Sequence, residues 1–233
     1  MVEKKKQKTI YLLCFLIICC FLLPHFFQLV SSQKSEILDS ETILVTGFEP
    51  WASHEVNPSE LIANQLNGSM INEKIVYGAV LPVDFDVALQ KLKKLIYEKQ
   101  PVLIICLGLA PGTSVIKVES IGFNLFYDPY MENVFQAIRR VNSSGPPLLL
   151  SNIKITESVD RLKEANFSSE QSYFAGFYLC NAVLYESIHI IHHQTDAAKV
   201  GFVHLPQIND DENNWQLTEL IEAITLIIKE NIQ

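Results

Sequence analysis

Cys180, His204 and Glu119 are the residue types from which a thiol hydrolase is assembled. The sulfur attacks, the imidazole takes its proton, and the carboxylate orients the imidazole. They lie far apart in the chain, and a bare trio of this kind occurs in most chains of this size, so their placement carries the argument. Cys180 follows the extended stretch Ser172-Tyr-Phe174 and the turn Ala175-Gly176, where an apolar helical pattern runs from about Tyr178 to His193. That places the sulfur in the opening turns of a helix, where unpaired backbone N–H groups and the positive dipole end favour a thiolate. The competing reading is a small buried hydrophobe, the common fate of a free cysteine. His204 ends the apolar run Lys199–His204, which Pro206 closes, so its ring can face a cleft at the strand end. Glu119 is one of few carboxylates in the apolar run Val115–Phe123.

Other chemistry-bearing patterns are weaker. His189, His192 and His193 have the i, i+3, i+4 spacing that can hold a metal on one helix face. They read more simply as a polar helix end, where cations suit the dipole. Gly108-Leu-Ala-Pro-Gly112-Thr-Ser follows a strand as a phosphate loop does, but lacks the lysine of that motif. No GxSxG elbow is present, which counts against a serine hydrolase of the usual α/β type.

The elements that must position these residues alternate between short apolar runs and helical patterns. Thr42–Thr46 is a β-branched strand ended by Gly47-Phe48-Glu49-Pro50, and Asn57-Pro-Ser59 can cap a helix through Leu61, Ile62 and Leu66. Ile75–Leu81 is a second strand. Asp84 then caps a helix with the stripe Phe85, Leu89, Leu92, Ile96. Val102–Leu107 is unbroken and short, as a strand covered on both faces should be. Val115–Phe123 reads as one strand, Val159 and Leu162 mark a short helix, and Leu217, Leu220, Ile221, Ile224 and Ile228 share one face of a last helix. Strands separated by helices predict an α/β fold with a mostly parallel sheet and helices on both sides. Ligands then gather at the carboxyl ends of strands. The stretch Leu125–Pro147 is expected to be an irregular excursion over the surface.

The 233 residues carry a formal charge of −8, which excludes a nucleic-acid backbone binder. Three of the five cysteines lie before residue 21, which excludes a disulfide framework. Four lysines between residues 3 and 8 precede the uncharged run Ile10–Leu23, so residues 1–32 are expected to be a secretory signal or, through residues 10–30, a membrane anchor. Residues 33–233 are then a single domain in the secretory pathway, secreted or anchored. Three sequons, Asn67, Asn142 and Asn166, fit that placement. A cytoplasmic location is the alternative.

Several blocks also carry a resemblance. Thr46-Gly-Phe-Glu-Pro-Trp51 with Asn57-Pro-Ser59, Gly108-Leu-Ala-Pro-Gly112 with Glu119 and Asn124, Ser172–Asn181 around Cys180, and Gly201-Phe-Val-His-Leu-Pro206 occur in unbroken order. Together they resemble the pyroglutamyl peptidase I (pyrrolidone-carboxylate peptidase) family of cysteine peptidases. The resemblance implies a three-layer α/β/α sandwich, needing no cofactor or metal, that removes N-terminal pyroglutamyl residues from peptides. It implies Cys180 as nucleophile, His204 as base and later acid, and Glu119 as the orienting carboxylate. Phe48, Trp51 and Asn57 would bind substrate, with Trp51 standing where the family usually has Phe. Self-association into a homo-oligomer is left open. The chain departs from the family at Ala52-Ser53, at Thr113 in place of an Arg, and over Leu125–Met131, where an Arg of the family falls near Pro129. These departures leave a second reading, a catalytically weak or inactive protein that binds pyroglutamyl peptides or a protein partner.

Overall fold

The computed structural model describes residues 41–51, 54–133, 137–194, 198–208 and 215–232. The expected signal or anchor segment, residues 1–32, lies outside them. β1 (Thr42–Phe48) opens the fold and is buried from its second residue onward. Asn57 caps α1 (Pro58–Leu66), its side chain accepting the Ser59 N–H, and Pro58 stands in the first turn, where no N–H is needed. β2 (Met70–Ile71) and β3 (Lys74–Leu81) follow. Asp84 caps α2 (Phe85–Lys99) by accepting the Val87 N–H at 2.9 Å, and Gln100 ends that helix in the left-handed conformation. The buried residues of α2 are Ala88, Leu92, Leu95 and Ile96, whereas Phe85 and Leu89 of the expected stripe are only partly covered. β4 (Leu103–Leu109) is buried throughout, as its unbroken apolar run requires.

The second half comprises β5 (Ile116–Glu119), β6 (Ile121–Phe123), β7 (Phe126–Tyr127), β8 (Ile138–Arg139), β9 (Leu148–Leu150), α3 (Ile155–Glu164), β10 (Ser169–Ser172), α4 (Leu179–His192), β11 (Lys199–Leu205) and α5 (Leu217–Asn231). Seven strands form the main sheet in the order β10-β5-β11-β4-β1-β3-β2. Neighbours are parallel except β5 against β11 and β2 against β3. This is the mixed α/β, mostly parallel sheet that the alternating pattern predicts. Side chains of α1, α3 and α5 form one apolar cluster with one sheet face, and those of α2 and α4 form another with the opposite face. Each fully buried Leu, Ile or Val in these clusters contributes about 1.5–3 kcal/mol of burial.

Two stretches differ from the expectation. Val115–Phe123 is two strands, because the chain leaves the main sheet at Ser120, whose N–H donates to Ser172 and whose carbonyl accepts from Ser151. β6 then pairs with β9. There it lies so close to α4 that a Cβ on Gly122 would stand 2.9 Å from the Tyr185 backbone. The described residues between 125 and 147 are also more anchored than an excursion implies. Phe126 is fully buried, β7 pairs with β8, and the Asn124 amide donates to the carbonyls of Asn142 and Gly145.

Candidate active site

Register brings the site together. In the parallel core of the sheet Thr46 of β1 lies beside Cys106 of β4, and Gly108 of β4 beside His204 of β11. On the other side of β11, antiparallel β5 places Glu119 opposite Phe202. Directly paired residues share a face, and so do residues two apart on one strand, so Glu119 and His204 emerge on the same face. Glu119 is completely buried, and its Oε1 lies 2.8 Å from His204 Nδ1. Its Oε2 is buried with no partner among the described residues.

Cys180 sits half-buried as a free thiol in the first turn of α4. Tyr178, the N-cap, gives no side-chain cap to the first N–H groups of α4, which belong to the same turn as the sulfur. The Sγ packs onto the backbone of β4. A Cβ added to Gly108 would stand 2.9 Å from Sγ and 2.8 Å from the Phe202 ring. Any side chain there displaces the thiol, so Gly108→Ala is expected to lower pyroglutamyl amide turnover by roughly 10²-fold. Overpacking should also cost about 1–3 kcal/mol of stability, measurable by denaturant melt.

Burial, the largest single influence on His204, lowers its pKa. The Cys180 charge and hydrogen bond, followed by the hydrogen bond and charge of Glu119, outweigh it and raise the group from 6.5 to about 9. With Nδ1 engaged by Glu119, Nε2 is the nitrogen left for Cys180. The ring also meets Phe202 edge-on at 4.9 Å.

An apolar pocket opens beside the sulfur, lined by Phe48, Trp51, Asn57, Val83, Leu109, Tyr178, Leu179 and Cys180. Phe48, Trp51 and Asn57 therefore lie where the sequence suggests. The Asn57 amide is spent inside the protein: Oδ1 accepts from the Ser59 N–H and hydroxyl, and Nδ2 donates to the Glu49 carbonyl. It shapes the wall through its position. Val83, Leu109, Tyr178 and Leu179 were not singled out from the sequence. Their signal was positional, since Val83 follows β3, Leu109 ends β4, and Tyr178 and Leu179 open α4.

The other cysteine of this domain behaves differently. Cys106 is fully buried within hydrogen-bonding range of the Ser187 hydroxyl, 3.7 Å away. Burial pushes its thiol up to about 11, against the smaller downward pull of the Thr46 and Ser187 hydroxyls and with the Cys180 charge adding to the rise. It stays protonated at neutral pH. Cys106→Ser is expected to keep turnover within about threefold, as a buried inert thiol should. A loss comparable to that at Cys180 would show that the wrong sulfur was chosen. Among the histidines of α4, His189 stacks on Tyr185 and meets His193 edge-on at 4.6 Å. No group of three or more His, Cys, Asp or Glu suited to a metal occurs among the described residues.

The sequence pattern of the family described as pyroglutamyl peptidase matches residues 41–225. The pyrrolidone-carboxylate peptidase of Halalkalibacterium halodurans is 32% identical over 196 residues, covering 81% of this chain and 98% of that protein. The Pyrococcus furiosus protein of the same name is 36% identical over 168 residues, covering 71% and 81%. Among solved structures, the pyrrolidone carboxyl peptidase of Thermococcus litoralis superposes with a TM-score of 0.77 at 29% identity, over 82% of this chain and 93% of that one.

These findings correct the secretory placement. The relatives matched are bacterial and archaeal peptidases, and the family match begins at residue 41, beyond the basic and apolar segment on which export was argued. No helix among the described residues is long and apolar enough to cross a membrane. The expected export does not stand, and the sequon reading of Asn67, Asn142 and Asn166 goes with it. Two of those amides are in any case engaged, Asn67 by the Gly78 N–H and Asn142 by Ser144 and Glu186. By sequence pattern, by similarity to its relatives and by fold, the chain belongs to the pyroglutamyl peptidase family of cysteine peptidases.

Proposed function

We propose that this chain, as a three-layer α/β/α sandwich, cleaves the bond after an N-terminal pyroglutamyl residue, using Cys180, His204 and Glu119. The Cys180 sulfur attacks the pyroglutamyl carbonyl carbon. The resulting oxyanion is met by N–H groups at the start of α4, to which the N-cap gives no side-chain partner. Collapse breaks the C–N bond, and His204 gives its proton to the departing amine. Water, deprotonated by His204, then attacks the thioester and releases pyroglutamate. Glu119 holds the ring with Nε2 toward the sulfur throughout. A pyroglutamyl ring carries no ammonium group, so an apolar pocket of Phe48, Trp51, Val83 and Leu109 suits it where an acidic site would not.

The observation that carries this reading is His204 held between a buried carboxylate at 2.8 Å and a cysteine at the mouth of an apolar pocket. Its test is release of fluorophore from a pyroglutamyl amide by the purified protein. Turnover supports the peptidase. Pyroglutamyl-peptide binding without turnover would favour the inactive binder left open by the changed residues 125–131. Asn57, its own amide engaged, acts in substrate binding as a fixed wall of the ring pocket.

A further inference from the structure

We infer that Phe123, Phe174 and Phe177 form a subsite for the side chain that follows pyroglutamate, so that this chain prefers peptides with an aromatic or large apolar second residue. The inference rests on the reading of Cys180 as nucleophile. The segment between β10 and α4 exposes Tyr173 (61%), Phe174 (54%) and Phe177 (38%). So much aromatic surface on one short segment marks a place where something apolar docks. The rings form a cluster: Phe174 meets Phe177 edge-on at 4.9 Å, and Phe123 meets Phe174 at 6.3 Å and Phe177 at 6.1 Å. Edge-to-face contacts fix the rings against one another, and Phe174 and Phe177 stay exposed.

The cluster is tied to the sulfur. Asn181, next to Cys180, clamps Phe123 by accepting its N–H at 2.7 Å and donating to its carbonyl at 2.9 Å. The Phe177 carbonyl accepts the Tyr127 N–H at 2.7 Å. Such anchoring reduces the ordering needed on binding. Sheet order settles the direction. The ring pocket lies over the ends of β1, β3 and β4, where Phe48, Val83 and Leu109 line it. The phenylalanines come from β6, just past β5, and from the segment after β10, on the opposite flank of the sheet, and β11 with His204 runs between the two sides. With the lactam in its pocket and the scissile carbon at Cys180, the leaving chain must extend past His204, which protonates its amine, toward that flank. The occupant is therefore the substrate's own second residue.

The test compares kcat/KM for pyroglutamyl-phenylalaninamide and pyroglutamyl-aspartamide, in the unsubstituted protein and in the double variant Phe174→Ser, Phe177→Ser. Covering part of one aromatic side chain is expected to give a preference on the order of tenfold for the phenylalanine peptide, expressed mainly in KM. The double variant should bring the ratio near one, and Phe174→Leu, Phe177→Leu should restore most of it. Calorimetric binding of both peptides to Cys180→Ala reads the same preference without turnover. Equal handling of the two peptides by the unsubstituted protein, or a ratio unmoved by the double variant, overturns the subsite while leaving the peptidase standing. Absence of both hydrolysis and binding overturns the peptidase reading and the subsite with it. A change in sedimentation coefficient in the double variant at an unchanged ratio would assign the rings to contact with a second copy and overturn the subsite.

Discussion

Replacing Cys180 by alanine is expected to abolish release of fluorophore from a pyroglutamyl amide, a loss on the order of 10⁴-fold or more, as for other covalent nucleophiles. The protein should remain folded. Cys180 is only half-buried, and its helix takes support from Leu179, Ala182, Val183, Tyr185 and Ile188 rather than from the thiol. A melting midpoint close to that of the unsubstituted protein separates lost chemistry from lost structure. Cys180→Ser would leave a hydroxyl too weakly acidic for the same imidazole to activate at neutral pH, and it should be nearly as inactive. Normal turnover in either variant would remove Cys180 from the reaction.

The second large effect is expected at Glu119. Glu119→Gln keeps the size and one oxygen for His204 but removes the charge, so both the proton affinity and the orientation of the ring change. A loss of about 10²–10⁴-fold in kcat is expected, by analogy with carboxylate-to-amide changes beside catalytic histidines. The pH profile identifies the cause. His204 is raised to about 9, in part by the hydrogen bond and charge of Glu119, and it must be protonated to give up a proton to the leaving amine. Activity should therefore persist up to about pH 9 and fall above it. In Glu119→Gln one of the raising influences is gone, and the alkaline limb should move to lower pH. A reduced rate with an unmoved limb would mean that Glu119 supports the fold without acting on His204.

Local signals made much of the fold legible. Asn57 and Asp84 marked two helix starts because their side chains cap N–H groups within three residues, and the unbroken run at β4 announced a strand covered on both faces. The break at Ser120 was hidden. Val115–Phe123 reads as one mostly apolar run, and the division shows in the hydrogen bonds of Ser120 to Ser172 and Ser151, distant in sequence. The same limit applies to the site. Types and strand-end positions pointed to Cys180 and His204, yet the Glu119–His204 contact depends on β5 running against β11, a long-range pairing that no local pattern encodes. The aromatic cluster was illegible for a related reason. Phe174 and Phe177 flank a turn, and only the fold reveals that they stay exposed beside Phe123. The N-terminal expectation rested on a lysine block followed by an apolar run, with three sequons beside it, and gave way to the matches with relatives.

The central claim is that one sulfur, Cys180, bonds covalently to the pyroglutamyl carbonyl. Its most direct measurement is mass spectrometric peptide mapping after treatment with a pyroglutamyl chloromethyl ketone at neutral pH. The account predicts a single adduct on Cys180, formed in step with loss of activity and blocked by excess pyroglutamate. An adduct on Cys106, or full inactivation with Cys180 unmodified, would contradict it.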